Sequence, residues 1–121
     1  MAFAGTARYF TACEDITSTS TGSSADVIYT CPANFVSLIR FLHISNGDSQ
    51  KKIAIQWYDK SADAYHYIVH DYNQNANSLT EVIQGGGYIA LEAGDKIVAY
   101  QESSDADFHI MLSGEEHYQP T

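Results

Sequence analysis

Positively charged residues are scarce in this sequence. It has 6 Lys and Arg against 15 Asp and Glu, which gives a formal net charge of −9. A surface that binds duplex nucleic acid needs clustered Lys and Arg to neutralise phosphates, so we expect no nucleic-acid partner. No apolar run approaches the ~18–20 residues that span a bilayer, and residues 1–11 lack the basic start and apolar stretch of a signal peptide. We therefore expect no membrane partner and synthesis in the cytosol.

Cysteine is also scarce, with only Cys13 and Cys31 in 121 residues. Two cysteines are too few for a disulfide scaffold, and their separation fits no metal-knuckle spacing. We predict that both are small buried hydrophobic residues, with a mutual disulfide as the alternative. The length allows one domain, because a second hydrophobic core would need about 100–150 further residues.

Residues that favour β-strands are abundant. Nine Tyr, five Phe and many Val, Ile and Thr form short runs separated by Gly, Asn, Asp and Ser. This pattern predicts an all-β chain, and the segment at residues 7–12 also fits a strand. Turn signals every ~8–12 residues favour an antiparallel two-sheet β-sandwich of jelly-roll-like architecture over a barrel. About eight strands are predicted, at residues 25–31, 35–44, 52–59, 64–70, 78–84, 88–91, 95–101 and 107–113.

The composition divides the chain into three parts. Residues 1–24 are predicted to form an N-terminal arm or edge strand followed by a loop rich in Ser and Thr. Residues 25–113 are predicted to form the β-sandwich, and residues 114–121 a C-terminal tail. Residues 92–95 (EAGD) combine residue types that tolerate positive φ, as a tight turn requires.

Hydrophobic alternation predicts which strand faces are buried. In residues 52–59 the two isoleucines and the tryptophan share one face opposite a mostly polar one, which indicates a half-buried strand. Residues 108–113 alternate in the same one-sided way. Residues 35–44 are apolar on both faces, which fits a central strand or one covered by a neighbouring subunit.

Two segments resemble metal-binding motifs. His66 and His70 would converge on one ion if they lay on a helix. The Tyr, Ile and Val around them indicate a strand, however, where they share a face about 13 Å apart. Residues 71–77 mimic a calcium loop, but Ala76 stands where that loop needs Gly and Val82 where it needs Glu. We predict solvent-facing histidines and an Asn-rich loop, with metal binding as the alternative in both cases.

Motifs of nucleophilic catalysis are absent from the sequence. There is no Gly-X-Ser-X-Gly elbow, and neither cysteine lies in a catalytic signature. Residues 85–87 (GGG) lack the lysine and following helix of a phosphate-binding loop. The five histidines could serve as bases, but without a neighbouring nucleophile they are more often structural. We therefore predict a protein that is not an enzyme, with no catalytic residues, no metal and no cofactor.

The nine tyrosines exceed what one small core needs. Tyr is enriched at protein interfaces because its ring buries apolar area while its hydroxyl keeps a polar partner. Their abundance fits an interface or ordinary outward-facing positions equally well. Sugar binding by exposed rings, as in a lectin-like module, is a further alternative.

The order of features between residues 35 and 113 is similar to that of a known group of proteins. It consists of an apolar strand at 36–44 (VSLIRFLHI), then 45–48 (SNGD), 53–59 (IAIQWYD), 77–83 (NSLTEVI) and 87–97 (GYIALEAGDKI). This order resembles the small β-sandwich virion proteins of tailed bacteriophages, including phages that infect marine cyanobacteria. The resemblance covers about two-thirds of the chain. It depends on patterned turns and not on a catalytic signature.

The resemblance implies a structural role, as a capsid decoration (cement) protein on a phage head. A neck, tail or fibre component is the alternative, which could carry a carbohydrate- or host-surface-binding module. The implied location is the virion, and the implied partners are the major capsid protein and further copies of this chain. Trimers are frequent among such proteins. A small metal-assisted enzyme of cupin type is a third alternative, which would need histidines converging from neighbouring strands.

No family motif assigns the contact residues. Aromatic side chains near the two ends of the chain suit contacts with neighbouring subunits, because they bury large apolar areas. We predict such contacts for Phe3, Tyr9, Phe10 and Tyr118.

Overall fold

The computed structural model describes residues 7–84, 86–103 and 107–119, which form nine β-strands and one short 3-10 turn at Gly22–Ser24. No helix in these ranges is long and apolar enough to cross a membrane. The strands are β1 (Ala7–Ile16), β2 (Asp26–Thr30), β3 (Phe35–Asn46), β4 (Lys51–Asp59), β5 (Ala64–Gln74), β6 (Ser78–Glu81), β7 (Ile89–Leu91), β8 (Lys96–Gln101) and β9 (Phe108–Tyr118).

The strands form two antiparallel sheets. The first sheet has the order β1-β9-β3-β6, with β7 also paired to β3, and the second has the order β2-β8-β4-β5. The chain therefore passes repeatedly between the sheets, which is the topology of a jelly roll. The predicted fold class is confirmed, with nine strands in the described ranges where about eight were expected.

The core lies between the inner faces of the two sheets. Phe108, Ile110 and Leu112 of β9 are at most 1% exposed, as the one-sided alternation predicts. Ile53 and Ile55 of β4 meet them from the second sheet and are equally buried. Burying an aliphatic or aromatic side chain of this size contributes about 1.5–3 kcal/mol, so this seam stabilises the sandwich.

The predicted central position of residues 35–44 is confirmed, because β3 lies between β9 on one side and β6 and β7 on the other. Its pairing with β9 contains a bulge at Arg40. The bulge changes which positions point inward, so that Ile39 and Leu42 are both fully buried although they are three residues apart. This shift explains part of the two-faced apolar pattern. Leu38 and Phe41 remain on the outer side and are half-buried.

Several strand ends differ from the predictions. The last strand runs to Tyr118 where the sequence predicted an end at residue 113, so residues 114–118 lie in the sheet and not in a tail. β5 runs to Gln74, and the predicted Asn-rich loop at residues 71–77 is therefore shorter than expected. β6 ends at Glu81, earlier than the predicted residue 84. The polar residues at the ends of β5 and β9 do not indicate a strand in the sequence. Hydrogen bonds to the partner strands nonetheless hold these segments in the sheets.

The prediction that residues 52–59 form a half-buried strand is wrong. Ala54 and Gln56, on the outer face of β4, are 1% and 3% exposed. The loop between β1 and β2 covers this face, because Thr21 Oγ1 and the backbone N–H of Gly22 donate hydrogen bonds of 3.0 and 3.1 Å to Gln56 Oε1. The Ser/Thr-rich loop is thus bound to the second sheet.

The prediction that both cysteines are buried is wrong for Cys13. Both thiols are free, but Cys13 is exposed and only Cys31 is buried. Cys13 lies on the outward side of edge strand β1, opposite Met111. Cys31 lies inside, where burial raises the pKa of its thiol and Ser37 Oγ donates a 3.1 Å hydrogen bond to its sulfur.

Candidate interaction surface

The side chains on the outer side of the first sheet do not contribute to the core, and we call this side the open face. Strand register places its side chains in rows that cross four strands. One row contains Cys13, Met111, His43 and Glu81, each opposite the next. The other members of the open face are Tyr9, Thr11, Asp15, Leu38, Phe41, Ser45, Leu79, His109, Ser113, Glu115 and His117.

Large apolar side chains of the open face remain in contact with solvent. Tyr9 is 84% exposed, Leu79 59% and Met111 43%. Residues around Met111 enclose a depression of about 90 Å³, lined by Cys13, His43 and Leu79 among others. A second groove of about 280 Å³ lies between Tyr9 and Arg40. Exposed apolar groups gathered on one face mark interaction sites on soluble proteins.

Charged groups flank the apolar residues of the open face and are paired, and one such pair, His43 and Glu81 at 3.5 Å, lies in the same row as Met111. Asp15 and Asp107 accept hydrogen bonds from the two ring nitrogens of His109. Desolvation lowers the pKa of His109, but these hydrogen bonds and charges together outweigh it and raise the pKa above its ordinary value. Towards the other end of β9, Glu115 interacts with His117 Nε2 at 2.8 Å and Arg40 Nε at 3.2 Å. The bond from His117, followed by the charge of Arg40, lowers the pKa of Glu115.

His109 lies near residue types that take part in nucleophilic catalysis. Ser45 is opposite His109 in the strand register and Cys13 lines the same depression, so two nucleophile types lie near an imidazole. Both nitrogens of that imidazole are occupied by carboxylates, however. A general base needs one nitrogen free to accept the proton of the nucleophile. This arrangement therefore suits a structural ion pair better than a catalytic one.

The predicted contact residues occupy different environments. Tyr9 lies on the open face, whereas Phe10 points inward and stacks on Tyr29 with ring centroids 4.3 Å apart. Tyr118 is 36% exposed and meets the edge of the Phe35 ring at 5.7 Å. Phe3 lies outside the described residues. The subunit contacts of all four residues stay a prediction.

The histidines of the first metal candidate are separated in the structure. His66 packs against Trp57, with ring centroids 5.1 Å apart, and His70 stacks on Tyr67 at 3.8 Å. Asp71, the first residue of the calcium-loop candidate, lies within β5. Within residues 7–84, 86–103 and 107–119, no group of three or more His, Cys, Asp or Glu is arranged to hold a metal ion.

The sequence pattern predicts that Met111 faces outward, but it does not predict which residues surround it, and it gives no signal for Leu79. The alternation in β9 places Met111 outside. Strand order then brings Cys13 of β1 and His43 of β3 to either side of it. No sequence signal specifies these pairings, since register depends on which strands become neighbours.

Comparisons with known proteins found little. No protein-family description and no curated protein matches the chain. A solved structure, the globular domain of zebrafish complement 1qA protein, is similar to 93% of this chain over 98% of its own length, with 12% sequence identity and a TM-score of 0.48. A likeness at this level carries no information on function.

Proposed function

We propose that this protein is a non-enzymatic structural protein that assembles with copies of itself through the open face. More specifically, we propose a virion structural protein of a tailed bacteriophage that serves as a capsid decoration (cement) protein. The observation that carries the proposal is the exposure of Tyr9, Leu79 and Met111 on one sheet face. Jelly rolls occur in viral capsid proteins, which is compatible with this role although a fold alone does not determine function.

The composition of the open face supports a second copy of the chain as its occupant. Cys13, Phe41, Met111 and Ser113 at its centre carry no formally charged side chain, and the ion pairs of His109 with Asp15 and of His43 with Glu81 flank them. Stable interfaces combine an apolar centre, often with Met and aromatic residues, and a polar rim. The whole chain carries a net charge of −9. The open faces of neighbouring subunits can therefore converge at this centre without burying charges of like sign.

A closed trimer is the assembly that we favour. In a threefold ring, one part of the open face of each subunit contacts a different part of its neighbour's open face, and ring closure leaves neither part unpaired. The open face includes edge strand β1, whose unpaired backbone groups would otherwise invite uncontrolled strand pairing. A threefold ring would shield this edge together with Met111.

The assembly can be tested by light scattering coupled to gel filtration. We expect the wild-type protein to have three times the 13.3 kDa mass of the chain. Met111→Glu places a charge at the centre of the open face without disturbing the core, and it should yield monomers. Val27→Glu is the matched control, because Val27 is also 43% exposed but lies on β2 of the other sheet. A monomeric wild type at high concentration would refute assembly.

The location can be tested by labelling intact particles from the source with an antibody and viewing them by electron microscopy. Label over the whole head would support a decoration protein that contacts the major capsid protein. Label confined to the neck, tail or fibres would favour the alternative role as a connector or receptor-binding part. Absence of label from every particle would refute the virion role and leave the assembly proposal to the scattering experiment.

A further inference from the structure

The outer face of the second sheet contains a polar cleft that the proposed assembly does not use. The β1–β2 loop covers this sheet near Gln56, but the cover ends at Thr19. Beyond that point lies a cleft of about 350 Å³, which falls in the size range of small-molecule sites. The principal lining residues are Thr19, Lys52, Ala54, Asp71, Tyr100 and Glu102.

The small side chain of Ala54 creates the cleft. Ala54 pairs with Tyr100 of β8 on one side and faces the bulge of β5 on the other. This bulge places both His70 and Asp71 opposite Ala54, and both are exposed. Asp71 has a φ of +50°, a left-handed conformation that non-glycine residues rarely adopt. Bulges of this kind redirect side chains next to binding sites.

Tyr100 lines one wall of the cleft and is paired with Tyr67 outside it. The hydroxyls of Tyr67 and Tyr100 are 2.7 Å apart, and the ring of Tyr67 is 44% exposed. Burial, followed by the bond to Tyr67, raises the pKa of Tyr100 to about 12. The bond to Tyr67 raises this pKa because Tyr100 donates its proton to the Tyr67 oxygen, so the Tyr100 oxygen is left to accept a hydrogen bond from a ligand.

The opposite wall is held in place by β4 and the end of β8. The backbone N–H of Lys52 donates a 2.7 Å hydrogen bond to Glu102 Oε1, and the backbone N–H of Glu102 donates one of 3.2 Å to the carbonyl of Lys52. Glu102 is thereby fixed beside the cleft before any ligand arrives. Such preorganisation lowers the entropy that binding must overcome.

We propose that this cleft binds one hexose unit of a neutral or amino-substituted glycan. The carboxylates of Asp71 and Glu102 and the Tyr100 oxygen accept hydrogen bonds from sugar hydroxyls, and the Lys52 ammonium donates them. The apolar C–H face of the sugar packs on the Tyr100 ring, which lines the cleft. Two carboxylates against one ammonium, in a chain of net charge −9, disfavour an acidic sugar. Binding here goes beyond the proposed structural role and does not depend on it.

The probes are methyl glucoside, methyl galactoside, N-acetylglucosamine, glucosamine and glucuronate. We expect at least one of the first four to shift the backbone NMR signals of Ala54, Asp71 and Tyr100 in the ¹⁵N-labelled full chain, with millimolar affinity. Glucuronate should cause no such shifts. If all four sugars leave these signals unchanged, or if the shifted signals belong to the open face, the proposal is wrong.

Two variants test the contacts. Asp71→Asn removes the charge but keeps a residue that tolerates left-handed φ, and Tyr100→Phe removes only the hydroxyl. Each should weaken binding, by about tenfold or more for Asp71→Asn, because hydrogen bonds to a charged group are the stronger ones. Asp48→Asn, in an exposed loop outside the cleft, should bind as the wild type does. Unchanged affinity in both cleft variants, with their spectra showing a folded chain, would overturn the assignment.

Sugar binding can be tested independently of assembly. The cleft lies on the second sheet and the open face on the first. Met111→Glu should therefore abolish assembly and leave sugar binding intact, whereas Tyr100→Phe should do the reverse. Loss of sugar binding in Met111→Glu would show that the site needs the assembled protein and would refute an independent cleft.

Discussion

At the scale of single residues, His109 shows how neighbouring strands determine the chemistry of a side chain. Asp15 is its partner across the β1–β9 pair, and Asp107 precedes it by two residues. An isolated histidine at the surface would titrate near 6.5. Here two carboxylates favour the charged imidazolium and link the edge strand to its neighbour.

We expect His109 to titrate above 6.5 in an NMR pH titration, because the hydrogen bonds and charges of Asp107 and Asp15 outweigh desolvation. Asp15→Asn should lower this pKa, and Asp48→Asn should not change it. A raised folded-state pKa stabilises the protein fully below the unfolded pKa, and this contribution is lost as pH rises through the folded value. A wild-type midpoint at or below 6.5 would contradict the ion-pair geometry.

At the scale of strands, β9 and β3 approach each other closely at Gly114. A Cβ added to Gly114 would lie 1.9 Å from the Leu38 carbonyl oxygen and 3.1 Å from Ile39 Cα. Both neighbours are backbone atoms, which cannot move away as a flexible side chain can. The bulge at Arg40 lies beside this contact, between the partners of Gly114 and Ser113. The absence of a side chain at residue 114 is therefore a requirement of the strand pairing.

Gly114→Ala should lower the free energy of unfolding by about 1–3 kcal/mol or more, because the added methyl group overpacks the sheet. Ser113→Ala is the control, since its side chain is on the outward side and its effect should be small. Urea denaturation of both variants measures the difference. Equal stabilities would show that β3 and β9 separate easily at this point.

At the scale of the whole molecule, a chain of polar contacts joins the two sheets at one end of the sandwich. Glu116 of β9, only 6% exposed, interacts with Arg8 Nε of β1 at 2.6 Å and accepts a hydrogen bond from the Tyr29 hydroxyl of β2. Tyr29 also contacts Ser37 Oγ of β3 at 2.6 Å. Burial, followed by the bond to Glu116, raises the pKa of Tyr29 above its usual value. Three strands of the first sheet are thus connected to the second.

Tyr29→Phe should lower the free energy of unfolding by about 1–3 kcal/mol, because it removes a hydrogen bond to a buried carboxylate while the ring still stacks on Phe10. Tyr72→Phe, on an exposed ring, should change stability little. Thermal or urea unfolding measures both variants. A Tyr29→Phe protein as stable as the control would show that Arg8 alone satisfies Glu116.

Local patterns predicted the fold class because side chains in a strand alternate between its two faces, so every second residue lies on the same face. The buried and exposed positions of residues 108–113 follow from alternation alone. The turn at residues 92–95 was also predictable, and Gly94 adopts a φ of +88° there. The exposed position of Cys13 was not predictable from the sequence, since it depends on β1 being an edge strand.

The sequence by itself determined that this chain is all-β with hydrophobic inner strand faces, because composition and alternation are properties of neighbouring residues. Only the tertiary structure decided that Cys13, Met111 and His43 share a row and that Asp71 and Tyr100 line one cleft. These residues come from different strands. Their proximity depends on strand order, bulges and the path of the β1–β2 loop, which follow from the packing of the whole chain and from no local pattern.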